Sequence, residues 1–216
     1  MIEKNTKKRL VTSTFLIFLI LFIFNFLYFL VFTLLIVGTL SLIEFFSITK
    51  KIFKDKIYHF LFNTIFALYI SVFCLLFFYF SNFFQSKVIL FILLIGCVGS
   101  DIGGFIIGRL FKGPKLTKIS PNKTISGAIG SFIFTIIIIS TSFFYYVSYI
   151  NLSIILTSFF TSLASQLGDL FFSYLKRKAK IKDTGNFLPG HGGVLDRIDG
   201  ILMGIPIGFL IVIITI

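Results

Sequence analysis

The sequence predicts an all-α, polytopic membrane protein of about seven transmembrane helices, and three observations predict it. Hydrophobic residues fill 57% of the 216 positions and charged residues only 13%, with a mean hydropathy of +1.04, outside the range of water-soluble domains. The apolar residues gather into runs near 10–25, 27–48, 57–80, 88–108, 125–147, 152–175 and 198–216, each close to the ~20 residues that carry a helix across ~30 Å of hydrocarbon. Finally, the basic residues stand in the gaps between runs. Nineteen of the twenty Lys and Arg fall in four clusters, and Lys87 stands alone. A seven-crossing path with a cytoplasmic N-terminus puts all four clusters on the cytoplasmic side, as the positive-inside rule requires.

The first run follows a basic start, Lys4 to Arg9, and lacks a small-residue cleavage site; it reads as an uncleaved helix. The stretch from Leu10 to Ile48 has basic clusters at both ends, so it crosses an even number of times, with a hairpin near Asn25. Runs 57–80 and 88–108 flank Lys87, the one lysine placed outside. Run 125–147 follows the basic loop Gly108–Thr124, run 152–175 ends on Lys176, Arg177 and Lys178, and run 198–216 follows a second polar loop. The whole chain, 1–216, forms one membrane domain, with residues 1–95 as variable N-terminal helices and 96–216 as the functional part. Cys74 and Cys97 lie inside runs without metal-ligand spacing and read as small buried side chains. His59 opens an apolar run and marks an interface. Gly104 and Gly108, like Gly204 and Gly208, are four apart and read as packing faces.

The formal charge of +12 would point to nucleic acid in a soluble protein. Here topology accounts for most of it, and nucleic acid is not expected as a partner. The acids are more informative. Glu44, Asp101, Asp169, Asp196 and Asp199 lie within or at the ends of apolar runs, where an ionised carboxylate costs several kcal/mol unless it is paired or bound to a cation. Asp196 and Asp199 are spaced i, i+3 and share a helix face. By themselves they fit helix capping as well as cation binding. The loop before them holds Pro189-Gly190-His191-Gly192-Gly193, preceded by Lys176, Arg177, Lys178, Lys180 and Lys182, with Arg197 between the two acids. Glycines let backbone N–H groups approach an anion, lysines offset its charge, and carboxylates hold a divalent ion between phosphate oxygens. The combination fits nucleotide or pyrophosphate chemistry at the cytoplasmic membrane surface. Asp101, two turns inside its run, calls for a polar cavity or a cation partner. Glu44 fits interhelical hydrogen bonding as well as a place in a site.

The segments Ser173-Tyr174-Leu175-Lys176-Arg177, Lys182-Asp183-Thr184-Gly185 and Leu188-Pro189-Gly190-His191-Gly192-Gly193-Val194-Leu195-Asp196-Arg197-Ile198-Asp199 resemble the signature of the phosphatidate cytidylyltransferases, also called CDP-diacylglycerol synthases. Ser165-Gln166-Leu167-Gly168-Asp169-Leu170 and the stretch from Gly108 to Thr124 extend the resemblance over roughly residues 96–204. Three departures stand out: Asp101-Ile102-Gly103-Gly104-Phe105 lacks hydroxyls that flank these glycines in the family, Ser126 replaces a Glu, and Phe172 stands where Glu is common.

The resemblance implies transfer of CMP from CTP to phosphatidic acid, giving CDP-diacylglycerol and pyrophosphate, with magnesium and room for a second cation. It implies cation binding by Asp169, Asp196 and Asp199, and phosphate contacts from Lys176, Arg177, Lys182, His191 and Arg197. Backbone N–H groups come from Gly192 and Gly193, while Asn122, Lys123 and Asp101 line the lipid or cytidine side. The partners are CTP, phosphatidic acid and membrane lipid; a homodimer is compatible with the resemblance and the glycine faces. Related readings are a CTP-dependent enzyme acting on another membrane lipid and a degenerate member serving as a scaffold. A small ion transporter would instead distribute its acids through the bilayer.

Overall fold

The computed structural model describes residues 14, 18–117, 119–185, 187 and 192–215. Six helices are long and apolar enough to cross a membrane: α1 (Leu27–Ile52), α2 (Lys56–Ser81), α3 (Phe84–Phe111), α4 (Ile125–Val147), α5 (Leu152–Lys178) and α6 (Leu195–Thr215). Residues 18–25 are helical too and precede a break at Phe26, whose backbone is extended, one position from the expected hairpin. The start of the first run lies outside the described residues. Most helices overrun their apolar runs into the basic flanks, because Lys and Arg continue a helix readily and suit its C-terminal end. Lys50 and Lys51 occupy the last turn of α1, and Lys176, Arg177 and Lys178 that of α5.

Helix starts are capped from the sequence. Asp55 Oδ1 accepts from the Ile57 N–H at 2.9 Å, Thr124 Oγ1 from Gly127 at 3.1 Å and Asn151 Oδ1 from Ile154 at 3.0 Å, each relieving an orphan donor. Lys115 and Thr124 form an isolated antiparallel β bridge. Large apolar side chains such as Phe60, Leu68, Leu75 and Ile137 are exposed along the helices, as expected where lipid is the solvent. This is an all-helical integral membrane protein.

The chain divides into two compact units, one comprising Met1–Lys87 with Leu175–Ile198 and the other Val88–Tyr174 with Asp199–Ile216. In the first, α1 and α2 meet where Gly38 faces Cys74 and Ile70. Phe45 and Phe66 stack at 3.8 Å, and Asn63 Nδ2 donates to Thr49 Oγ1 at 2.9 Å. Lys87 lies over the Phe24 ring at 5.1 Å, so the Phe26 break and the α2–α3 turn share one end of this unit. His59 packs edge-on against Phe46.

In the second unit, Gly103 and Gly104 of α3 face Gly127, Gly130 and Ser131 of α4 so closely that a methyl group at Gly103 would stand 2.5 Å from the Gly130 carbonyl. Small residues and hydroxyls are the usual adhesive between helices in lipid. Ser131 Oγ donates to the Ser100 carbonyl at 2.7 Å, and the Ser100 and Ser162 hydroxyls meet at 3.2 Å. Gly204 packs on Cys97 and Ser165, and Gly208 on Thr161 and Leu93. The four glycines read as packing faces are therefore used within the chain, leaving the homodimer expectation on the resemblance alone. Both cysteines are free thiols.

Candidate active site

In the second unit the loop between α3 and α4 folds back on itself before entering the helix. Leu116 N–H donates to the Lys123 carbonyl at 2.8 Å and Ile125 N–H to the Pro114 carbonyl at 2.9 Å. Ser126 Oγ accepts from the Gly113 N–H at 3.2 Å and lies 3.0 Å from the Thr124 hydroxyl. Ser126, a departure from the family pattern, thus staples the base of this loop.

The fold-back places Lys123 Nζ 2.8 Å from Asp169 Oδ2 on α5. The pair borders a cavity of about 220 Å³ whose lining includes Asp101, Asn122, Lys123, Ser131, Gln166 and Asp169. Asp101 therefore lines a cavity that also holds charged and polar side chains, the setting its position in an apolar run called for. Asp169 sits about two and a half turns before the end of α5, because the helix continues through Lys178.

Where α5 meets α6, Gly168 lies against the Asp199 carbonyl. A methyl group at Gly200 would stand 2.6 Å from Ser165 Oγ and 3.0 Å from Asp169 Oδ1. Asp199 Oδ1 accepts from the Gly200 N–H at 3.0 Å. The Asp169 and Asp199 carboxylates thus flank Gly200, a position with no room for a side chain.

The first unit holds a different cluster. Lys176 Nζ, in the last turn of α5, lies 2.6 Å from Asp196 Oδ1 in the first turn of α6. Oδ2 of the same carboxylate accepts from the Thr184 N–H at 2.8 Å and the Gly193 N–H at 3.1 Å, with Thr184 Oγ1 at 3.0 Å. Both oxygens of Asp196 are therefore engaged by protein donors. Gly192 has φ +86°, a conformation that favours glycine, and a methyl group on Gly193 would collide with Thr184 Oγ1 and the Glu44 carboxylate. Glu44 and Thr184 complete this cluster; the sequence left Glu44 open between interhelical hydrogen bonding and a site role, and Thr184 was not among the expected site residues. The signal for Glu44 was its charge inside an apolar run; its partners, some 140 residues away, left no trace in local pattern.

The other expected contacts are dispersed. Arg177, Lys182 and Arg197 are exposed, with Arg177 Nη1 3.4 Å from the Ile181 carbonyl. The Gly193 N–H is already donated to Asp196, and His191 lies outside the described residues. Among the described residues, no group of three His, Cys, Asp or Glu is arranged to hold a metal ion. Asp169 and Asp199 supply carboxylate oxygens, the ligand type magnesium takes, commonly one or two together with water and substrate phosphate. Asp196, the third carboxylate of the expected set, has both oxygens held by protein donors, so a cation there would take the place of the Lys176 ammonium.

Comparison with known proteins gives this chemistry a family. Similar proteins include the phosphatidate cytidylyltransferase of Helicobacter pylori strain J99, 44% identical over 112 residues, 52% of this chain and 42% of that protein. That of Rickettsia bellii is 46% identical over 120 residues, 51% of this chain and 52% of the relative. That of Mycobacterium leprae is 43% identical over 116 residues, 52% of this chain and 36% of the relative. The chain thus covers about half, or less, of the length of these relatives. The profile of the cytidylyltransferase family matches residues 1–215, nearly the full sequence, and this chain belongs to that family.

Proposed function

We propose that the protein transfers the CMP moiety of CTP to phosphatidic acid, giving CDP-diacylglycerol and pyrophosphate for phospholipid biosynthesis. The observation that carries the reading is the cavity bordered by the Lys123–Asp169 ion pair, with Asp101 in its lining, in a chain whose relatives bear that enzyme's name. One substrate cannot leave the bilayer and the other is a cytoplasmic polyanion, so the reaction belongs at the membrane surface. The positions of nineteen of the twenty basic residues support the cytoplasmic face of the inner membrane.

The phosphate of phosphatidic acid is already anionic near neutral pH, so its oxygen needs no strong base to attack the α-phosphorus of CTP. Catalysis then rests on positioning and charge neutralisation. In this proposal Asp101, Asn122 and Lys123 line the cytidine or lipid side. Lys176, Arg177, Lys182, His191 and Arg197 contact phosphate, with the backbone N–H of Gly192 beside them and that of Gly193 held by Asp196. Asp169 and Asp199 hold magnesium, and Asp196 keeps Lys176 and that turn in place. Magnesium, when bound, neutralises phosphate charge and stabilises the leaving pyrophosphate. All of these residues lie within 96–216, the part proposed to carry the chemistry.

The test is CTP-dependent pyrophosphate release by the purified protein in mixed micelles. Release that requires phosphatidic acid and stops on magnesium chelation is expected. Release indifferent to phosphatidic acid overturns the substrate assignment, and activity persisting in excess chelator overturns the cation.

A further inference from the structure

Glu44 lies about two turns before the end of the apolar α1 and is only 2% exposed. A carboxylate buried there must be satisfied by donors, and every donor recorded for it comes from one short stretch near the far end of the sequence. Its Oε1 accepts from the Val194 N–H at 2.9 Å, and its Oε2 from the Leu195 N–H at 2.9 Å and from Thr184 Oγ1 at 2.6 Å. Val194 and Leu195 open α6, so two orphan N–H groups of that helix end on a negative charge, where the helix dipole favours it. The packing leaves no slack: a methyl group at Gly185 would stand 2.6 Å from Glu44 Oε1.

Thr184 fastens to both carboxylates through separate groups. Its hydroxyl has one proton, and the shorter contact, to Glu44, takes it. Its backbone N–H goes to Asp196 Oδ2 at 2.8 Å, and the other oxygen of Asp196 takes Lys176. A continuous chain of contacts therefore runs from Glu44 through Thr184 to Asp196 and Lys176.

We propose that Glu44 is a positioning residue for the triphosphate-handling loop, acting through Thr184 on Asp196 and so on Lys176 and the Gly192–Gly193 turn. It touches no substrate. The proposal rests on the reading of the protein as a CTP-dependent transferase, and it gives an N-terminal helix outside the recognised motifs a part in CTP use. Glutamine at this position would keep the shape but turn an amide N–H₂ toward groups that are themselves donors, displacing Thr184 and the start of α6. A displacement of 1 Å in a phosphate-positioning group can lower rates by about 100-fold.

The experiment uses the full chain in phosphatidic acid micelles and measures pyrophosphate release with CTP varied, for Glu44→Gln, Thr184→Val, Thr184→Ser and the double variant Glu44→Gln/Thr184→Val. Both Glu44→Gln and Thr184→Val should raise KM for CTP about tenfold or more while leaving KM for phosphatidic acid unchanged, and the double variant should be no worse than the poorer single one. Thr184→Ser, which retains the hydroxyl, should keep the wild-type KM. A structural role alone would lower the active fraction and leave both KM values where they were. An unchanged or lower KM for CTP in Thr184→Val, or additive effects in the double variant, overturns the proposal. If Glu44→Gln does not fold, the Thr184→Val and Thr184→Ser pair decides it.

A wild-type protein that releases no pyrophosphate overturns the transferase reading instead. Hydrogen exchange, which needs no substrate, then reads the positioning directly. The Thr184, Gly193, Val194 and Leu195 amides should exchange faster in Glu44→Gln, and unchanged exchange overturns the positioning role.

Discussion

Two lysine–aspartate pairs, one in each compact unit, use the same chemistry for different ends. In the Lys176–Asp196 pair the lysine and aspartate side chains are 12% and 8% exposed, and both oxygens of the aspartate are held. In the Lys123–Asp169 pair they are 32% and 16% exposed, and the contact borders a cavity. A carboxylate saturated by fixed donors holds its surroundings in place, whereas one answered by a single lysine at a cavity can exchange that lysine for a substrate or an ion. Charge alone does not separate the two; the number of donors converging on each oxygen does.

The comparison can be broken most directly at Asp196. Removing one member of a buried pair typically destabilises by about 3–5 kcal/mol, and Asp196→Ala should approach that, since Lys176 and the amides of Thr184 and Gly193 lose their acceptor together. Thermal unfolding in detergent checks this, and a variant melting with the wild type would show that the cluster is not a structural brace.

Asp169→Asn should do the opposite. Activity should fall about 100-fold, roughly 2.7 kcal/mol in transition-state terms, while stability changes by less than about 1 kcal/mol, as for a solvent-accessible pair. Near-normal CTP incorporation would remove Asp169 from the proposed cation site. The smallest effect belongs to the loop that delivers Lys123. Ser126→Ala removes the acceptor for the Gly113 N–H, a neutral hydrogen bond worth about 0.5–1.5 kcal/mol. A modest rise in KM for CTP with little change in melting would tie the fold-back to the cavity.

The helices were legible because hydrocarbon imposes a length and a polarity that a sequence must display. Asp101, Asp169, Asp196 and Asp199 stood out for the same reason, as charges in apolar runs. The identity of each partner was not legible. Lys123 and Asp169 are 46 residues apart and Glu44 and Thr184 are 140 apart, so no local periodicity relates them. The distinction between the saturated Asp196 and the cavity-facing Asp169 depends on where a loop folds back, a property of packing. The glycines split similarly: their four-residue spacing announced close contact, and only the fold shows that the contacts lie within one chain.

The clasp on Glu44 also imposes an order in time. Chains grow at about 5–20 residues per second, so the 140 residues between Glu44 and Thr184 take roughly 7–28 s to make. Throughout that interval α1 carries a carboxylate whose eventual donors have not been synthesised. A helix in that condition is held back from full burial, and the first unit closes only once the loop before α6 has been made. A helix of this protein is thus finished by a segment made some 140 residues after it.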